Sequence, residues 1–465
     1  MKNNNLLKKQ KINTACSVIQ YVSIIIAGLV LPREILSHYG SEMNGLVHSI
    51  TQFLSYTVLV ELGIEAVIPA ALYQPLAEND NKRVSAIFSS GYKIYRRIAL
   101  ICILYVAVLF IVFPKASGIS AASMLVVVIG LETIIHYTIG TPERLLIISD
   151  QKGYVVYLIS AVSTVIKTVF QIILIRTGSS IIIVKLVGTL ISICFLVFLY
   201  LYVRFNYQIE RRIKYITEPI PKKWDGVAQH IAYFILENTD IVLLTLFAGF
   251  KEVSVYSIYF LVVQGVRKIF MAVTSSVQPT LGELLAKNDE EELRRFFAKF
   301  ERWIHICTSI AFGAMGVLLV SFVRVYTRGI NDVNYIRPVF AVLLVTAYGI
   351  QSIRDPYDKL ILASGHFKET RINYIIAACL NFGISIVAVN IWGMEGVAFG
   401  TLIAMLFQAV YMIIYDSRIL LKRSVGNIFL CILIDILILI SVVAISMLLK
   451  DPFEITIGWI LNALT

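Results

Sequence analysis

Residues 153–175 read GYVVYLISAVSTVIKTVFQIILI, a run with a single charge, Lys167, closed off by Arg176, Thr177 and Gly178. Crossing a bilayer core of about 30 Å as a helix takes roughly 20 consecutive apolar residues, and this run has that length. Blocks of the same kind recur in both directions along the chain. They predict helices at about 12–31, 44–73, 97–114, 121–147, 153–175, 181–203, 226–248, 253–283, 303–323, 337–363, 370–391, 395–415 and 426–449. A further stretch from Phe453 to Thr465 is too short to cross unaided. Composition agrees: 58% of the 465 residues are hydrophobic, mean hydropathy is +0.79, and only 15% are charged. A soluble domain carries about 25% charged residues. The chain reads as an all-α polytopic membrane protein.

The six cysteines (Cys16, Cys102, Cys194, Cys307, Cys379 and Cys431) lie in apolar runs and form no Cys-x-x-Cys pair, which argues against a disulfide framework or a zinc site. No His-Glu-x-x-His pattern and no Gly-rich phosphate loop occurs, so neither a cofactor nor nucleotide hydrolysis is expected. Lys2, Lys8, Lys9 and Lys11 precede the first block without a small-residue cleavage site after it, so the first helix is expected to be retained. With the N-terminus in the cytoplasm, 26 Lys and Arg fall on the inward side. Only Arg33, Lys115, Arg176, Lys251, Arg324, Arg328, Arg337 and Lys450 fall outside. This positive-inside bias accounts for the net charge of +11 without nucleic acid as a partner.

An internal repeat organises the blocks. Leu76-Ala77-Glu78-Asn79-Asp80 recurs as Leu285-Ala286-Lys287-Asn288-Asp289, Gly40 and Gly249 share the same offset, and Gly188-Thr189-Leu190-Ile191 recurs as Gly400-Thr401-Leu402-Ile403. Each half holds six helices, an even number, so both halves enter the membrane with one polarity. Two six-helix bundles related by a pseudo-two-fold axis along the membrane normal are therefore expected, plus one or two C-terminal helices. The expected divisions are an N-terminal lobe at 1–206, a cytoplasmic linker at 207–225, a C-terminal lobe at 226–416 and added helix at 417–465.

Charges inside the spans cost about 2.5–3.5 kcal/mol each unless they face a wet cavity or a partner. Lys167, with Gln171 one turn on, reads as a cavity cation; Lys185, near a helix end, reads as snorkelling to the interface. Arg267 and Lys268 are candidate cavity cations, or partners of Glu237 or Asp240, and being adjacent they point about 100° apart. His230, Tyr233, Glu237 and Asp240 form one helical stripe, in which a buried carboxylate can exchange a proton or hold sodium, or else simply join helices. Glu61 and Glu65, four apart around Gly63, and Glu132 with His136 are further ion-coupling candidates. Towards the cytoplasm, Arg354 with Asp358 and Asp355 with Lys359 have i,i+4 spacing for gate or structural pairs.

Several ordered stretches carry a family likeness: Leu31-Pro32-Arg33-Glu34-Ile35-Leu36, Tyr39-Gly40-Ser41-Glu42-Met43-Asn44-Gly45-Leu46, Glu61-Leu62-Gly63-Ile64 with Pro75-Leu76-Ala77, Asp240-Ile241-Val242-Leu243-Leu244 to Val255-Tyr256-Ser257, and Gly393-Met394-Glu395-Gly396-Val397-Ala398-Phe399-Gly400-Thr401. In their order and spacing, over residues 12 to about 450, they resemble the oligosaccharide-lipid flippases of polysaccharide biosynthesis (Wzx-like), of the multidrug/oligosaccharidyl-lipid/polysaccharide flippase superfamily. The resemblance implies alternating access and translocation of an undecaprenyl-pyrophosphate-linked repeat unit to the outer leaflet of the bacterial cytoplasmic membrane. It also implies proton or sodium coupling and work alongside a polysaccharide polymerase and chain-length regulator. A cation-coupled multidrug exporter would need a cavity dominated by acids. A polymerase or glycosyltransferase would need a sizeable outward loop, and the longest, about 324–336, is short.

Overall fold

The computed structural model describes residues 2–61, 64–210, 227–287, 289–424 and 426–448, and every regular element among them is helical. The chain forms α1 (Lys2–Ser55), α2 (Val58–Glu61), α3 (Ile64–Glu78), α4 (Asn81–Ser117), α5 (Ala122–Ile135), a π-helical turn (His136–Gly140), α6 (Thr141–Ser149), α7 (Gly153–Arg176) and α8 (Ile181–Asn206). It continues with α9 (Val227–Phe247), α10 (Phe250–Ala286), α11 (Glu290–Tyr326), α12 (Pro338–Ser364), α13 (Phe367–Trp392), α14 (Met394–Tyr415), a second π-helical turn (Asp416–Leu420) and α15 (Gly426–Leu448). Among the described residues nine helical stretches are long and apolar enough to cross a membrane. The protein is a multi-pass membrane protein. Packing divides it into two compact units that part between His230 and Ile231.

α7 shows how the apolar runs become helices with an inside and an outside. Val162, Val165, Ile166, Val169, Phe170 and Ile173 are exposed, where lipid takes the place of water, while Ala161 and Gln171 are buried and Thr164 and Lys167 are partly so. In hydrocarbon the polar groups belong inside and the backbone must satisfy itself, which a helix does.

Several predicted boundaries shift. The first helix does not end near residue 31: α1 runs on through Pro32 and Arg33 and kinks only at Gly40 (φ 79°, ψ 173°), so Arg33 is a helical residue rather than a loop one. Only glycine holds such a backbone without a Cβ clash. The predicted 44–73 helix is interrupted. Tyr56 and Thr57 form a turn, with amide bonds to Phe53 O and Leu54 O of 3.1 Å each, before α2 and α3 resume; Gly63 lies outside the described residues. The predicted loop at 82–97 is the start of α4. Val84, Ile87, Phe88 and Tyr95 enter the core while Lys82, Arg83, Lys93, Arg96 and Arg97 stay exposed, an amphipathic pattern.

The repeat is visible element by element. α4 and α11 are both 37 residues long, and each is capped by an aspartate: Asp80 accepts from the Arg83 amide at 3.0 Å and Asp289 from the Glu292 amide at 2.9 Å. Gly249 (φ 89°, ψ 169°) precedes α10 with the backbone of Gly40. α5 packs on α8 and α4 on α5 in the N-terminal unit, as α12 packs on α14 and α11 on α12 in the C-terminal one. Asn288, most of the predicted 207–225 linker and the stretch from Phe453 lie outside the described residues. The four described residues that open the linker are tied down: Tyr207 donates to Asp150 Oδ2 at 2.7 Å and the Glu210 amide to Ser85 Oγ at 3.1 Å.

Candidate functional site

In the N-terminal unit, residues of α1, α5, α7 and α8 line a cavity of about 900 Å³. Lys167 Nζ donates to both carboxylate oxygens of Glu132 and to Ser192 Oγ, each at 3.0 Å. Lys185, His136 and Arg144 reach the same wall, and Glu132 is its sole carboxylate among the described residues. An adjoining space of about 320 Å³ shares Lys167, Gln171 and Lys185 and adds His48. Lys185 therefore faces the cavity instead of snorkelling. The signal was in the sequence: Gly188, three residues on, marks the face of α8 that another helix approaches. A Cβ at Gly188 would collide with the Gln171 amide and come within 3.2 Å of Lys167 Cε, so glycine is what lets α7 present both side chains here. Gln171 is buried and donates to Val184 O at 3.2 Å, and its Oε1 has no partner among the described residues.

Glu132, an ion-coupling candidate with His136, finds its partner on another helix. The chain enters the π-helical turn at His136, and Glu132 turns to Lys167. Glu61 is buried and accepts from Tyr95 Oη at 2.6 Å, whereas Glu65 is exposed and paired with Arg144.

In the C-terminal unit, the stripe on α9 separates into two environments. Glu237 meets Arg267 of α10 in a two-pronged pair of 3.0 and 3.2 Å, with Gln351 of α12 donating to the same carboxylate. Arg267 is thus a buried partner, and Lys268 beside it is exposed. Asp240 is buried, and no cation pairs with it among the described residues. It accepts from Tyr256 Oη at 2.9 Å, and Thr401 Oγ1 lies 2.9 and 3.0 Å from its two oxygens. Asn381 donates to Thr401 at 2.9 Å, and its own buried Oδ1 has no partner among the described residues. Thr401 belongs to the repeated Gly-Thr-Leu-Ile motif, the sequence signal that pointed here. The side chain of His230 lies outside the described residues.

The i,i+4 pairs at the end of α12 do not form. Arg354 donates to Gln408 of α14 and stands 3.5 Å from Asp355, while Lys359 stands 3.4 Å from Asp358, which accepts from Tyr374. All four side chains are buried or nearly so, and neighbouring helices supply better partners than the next turn. Sequence reading missed two buried clusters, Glu301 with Arg423 and Tyr357, and Asp435 with His305 and Ser309 at 2.6 Å each, which fastens α15 to α11; it also missed the pairing of buried Glu34 with exposed Arg176 at 2.6 Å. A lone acid in the apolar 426–449 run was the available signal for Asp435.

The helix order and the packing within each unit match a fold seen in solved structures of flippases and transporters. Among solved structures, the lipid II flippase MurJ in an inward closed conformation matches with a TM-score of 0.72 over 97% of this chain and 98% of that one, at 13% identity. The eukaryotic MATE transporter AtDTX14 matches with a TM-score of 0.57 over 87% and 95%, at 14% identity. A MOP superfamily transporter from Pyrococcus furiosus matches with 0.58 over 90% and 97%, at 14% identity. No protein-family model matches the chain, and no curated protein matches its sequence. These neighbours are transporters and flippases rather than enzymes, and at such identities the likeness is one of fold.

Proposed function

We propose that the protein is a flippase that carries undecaprenyl-pyrophosphate-linked oligosaccharide repeat units from the cytoplasmic to the outer leaflet of a bacterial cytoplasmic membrane. Transport runs by alternating access of lobes 1–206 and 226–416 joined by the 207–225 linker, and it feeds surface polysaccharide synthesis. The observation that carries the reading is the cavity wall of the N-terminal unit, where Lys167, Lys185 and Arg144 outnumber Glu132. A cation in a partly dehydrated cavity attracts an anionic pyrophosphate far more strongly than one in water does. The same wall disfavours an exporter of cationic drugs. Coupling is assigned to Asp240, whose carboxylate, with the Thr401 and Tyr256 hydroxyls and the open Asn381 Oδ1, forms an oxygen set suited to a proton or sodium ion. Glu237 is already neutralised by Arg267.

The test is the leaflet in which lipid-linked repeat unit accumulates. Cells with Lys167→Ala at normal protein level should trap it in the cytoplasmic leaflet and lose surface polysaccharide, with partial rescue by Lys167→Arg. Accumulation in the outer leaflet would instead identify a polymerase, and normal polysaccharide would remove Lys167 from the site.

A further inference from the structure

We infer that α4 and α11 each carry a seat for an anionic phospholipid, in which basic side chains without a protein counter-charge hold the headgroup phosphate and the apolar face beyond them takes the acyl chains. The seats face lipid, and no residue of α4 or α11 lines either space described above, so the identity of the cargo does not enter.

One pattern spells both seats. Lys93, Arg96, Arg97, Leu100 and Leu104 on α4 have the same spacing as Lys299, Arg302, Trp303, Ile306 and Ile310 on α11. Steps of three and four residues put each set on one face of its helix. All ten side chains are on the exposed side, Leu104 by 69% and Trp303 by 51%. The opposite face is the buried one, with Ile98, Cys102 and Val106 on α4 and Ile304, Thr308 and Phe312 on α11. Each stripe is therefore basic at the end that the distribution of charge makes cytoplasmic and apolar from there inward. Trp303 marks the boundary on α11, because tryptophan collects at headgroup level.

The treatment of charge separates these positions from their neighbours. Nearer the helix ends the protein supplies carboxylates: Arg83 has Glu78 at 3.5 Å, Arg294 has Glu290 at 3.1 Å, and Arg295 has Glu291. At the seats it supplies none. Arg96, Arg97 and Lys299 make no hydrogen bond or ion pair among the described residues, and Arg302 donates only to Ala298 O of its own helix, at 3.1 Å. A guanidinium takes a phosphate in a two-pronged, charge-assisted bond, and its stem lies along apolar surface while the head stays at the interface. A basic residue near an anionic leaflet strengthens binding about fivefold. Free phosphate would find the same cations but gain nothing from Leu100, Leu104, Ile306 and Ile310. The apolar half of the stripe selects a lipid.

The experiment titrates the full chain in detergent with dioleoylphosphatidylglycerol or dioleoylphosphatidylcholine and counts bound lipids by native mass spectrometry. Wild type should bind phosphatidylglycerol at least fivefold more tightly than phosphatidylcholine, with a preference that shrinks as salt rises. Arg96→Gln with Arg97→Gln should abolish one preferred site, and Lys299→Gln with Arg302→Gln the other. All four together should bring the preference to about one. Phosphatidylcholine binding should stay unchanged throughout, which shows that the variants are folded. Arg96→Lys with Arg97→Lys keeps the charge and should retain the preference. Arg294→Gln with Arg295→Gln removes charge from paired positions and should also retain it. Soluble glycerol phosphate should not displace the lipid. A preference that survives the fourfold variant, that is lost in the Arg294 and Arg295 variant, or that is absent from wild type would overturn the inference. Displacement by glycerol phosphate would overturn it too, by making the seats sites for a free phosphate.

Discussion

Glu237 and Asp240 sit one turn apart on α9 and meet opposite company, a guanidinium for the first and hydroxyls for the second. Amide substitution should separate their roles. Glu237→Gln leaves Arg267, which is only 3% exposed, without its counter-charge, and breaking a buried pair from one side costs about 3–5 kcal/mol. That variant should show lower thermal stability in detergent and a reduced protein level. Asp240→Asn keeps size and one acceptor oxygen for the neighbouring hydroxyls and should fold normally, yet transport by it should no longer respond to an imposed proton or sodium gradient. Equal stability of both variants with unchanged gradient dependence would make the whole stripe a packing feature. That both residues lie in one stripe was legible from spacings of three and four. Which carried a partner was not, because the partners come from α10 and α14, far along the chain.

At the scale of elements, two glycines one repeat apart adopt the same left-handed backbone: Gly40 at φ 79° and Gly249 at φ 89°. An L-residue at such a φ costs roughly 1–2 kcal/mol, so Gly249→Ala should lower the unfolding midpoint. Gly265→Ala is the contrast: it lies inside α10 with open space where its Cβ would be, and helix propensity favours alanine there by about 1 kcal/mol. Thermal unfolding of the two variants side by side checks this, and equal midpoints would refute it. Helix existence followed from apolar length alone. Helix extent did not: α4 and α11 continue well beyond their apolar cores because Asp80 and Asp289 cap them and the amphipathic ends find a core to pack on.

At the scale of the whole molecule, the distribution of basic residues predicts which side each connection occupies. Cysteine introduced at Lys115, an exposed residue at the end of α4, should react with an impermeant maleimide from outside intact cells. Cysteine introduced at Lys82, exposed at the start of the same helix, should react only after permeabilisation. The reverse pattern would invert the proposed direction of transport. α4 is 37 residues long, enough to place the two positions on opposite faces of a bilayer of about 30 Å.

The sequence alone determined that this protein crosses a membrane many times as helices, that its two halves repeat, and that a small set of intramembrane charges had to be accounted for. Length, hydropathy and spacing are local properties and can be read along one strand of text. Tertiary structure decided the partners: Lys167 for Glu132, Thr401 for Asp240, Gln408 for Arg354, and the cavity rather than the interface for Lys185. A buried charge is stabilised by whatever group another helix brings within about 3 Å, and that depends on where helices distant in sequence come together.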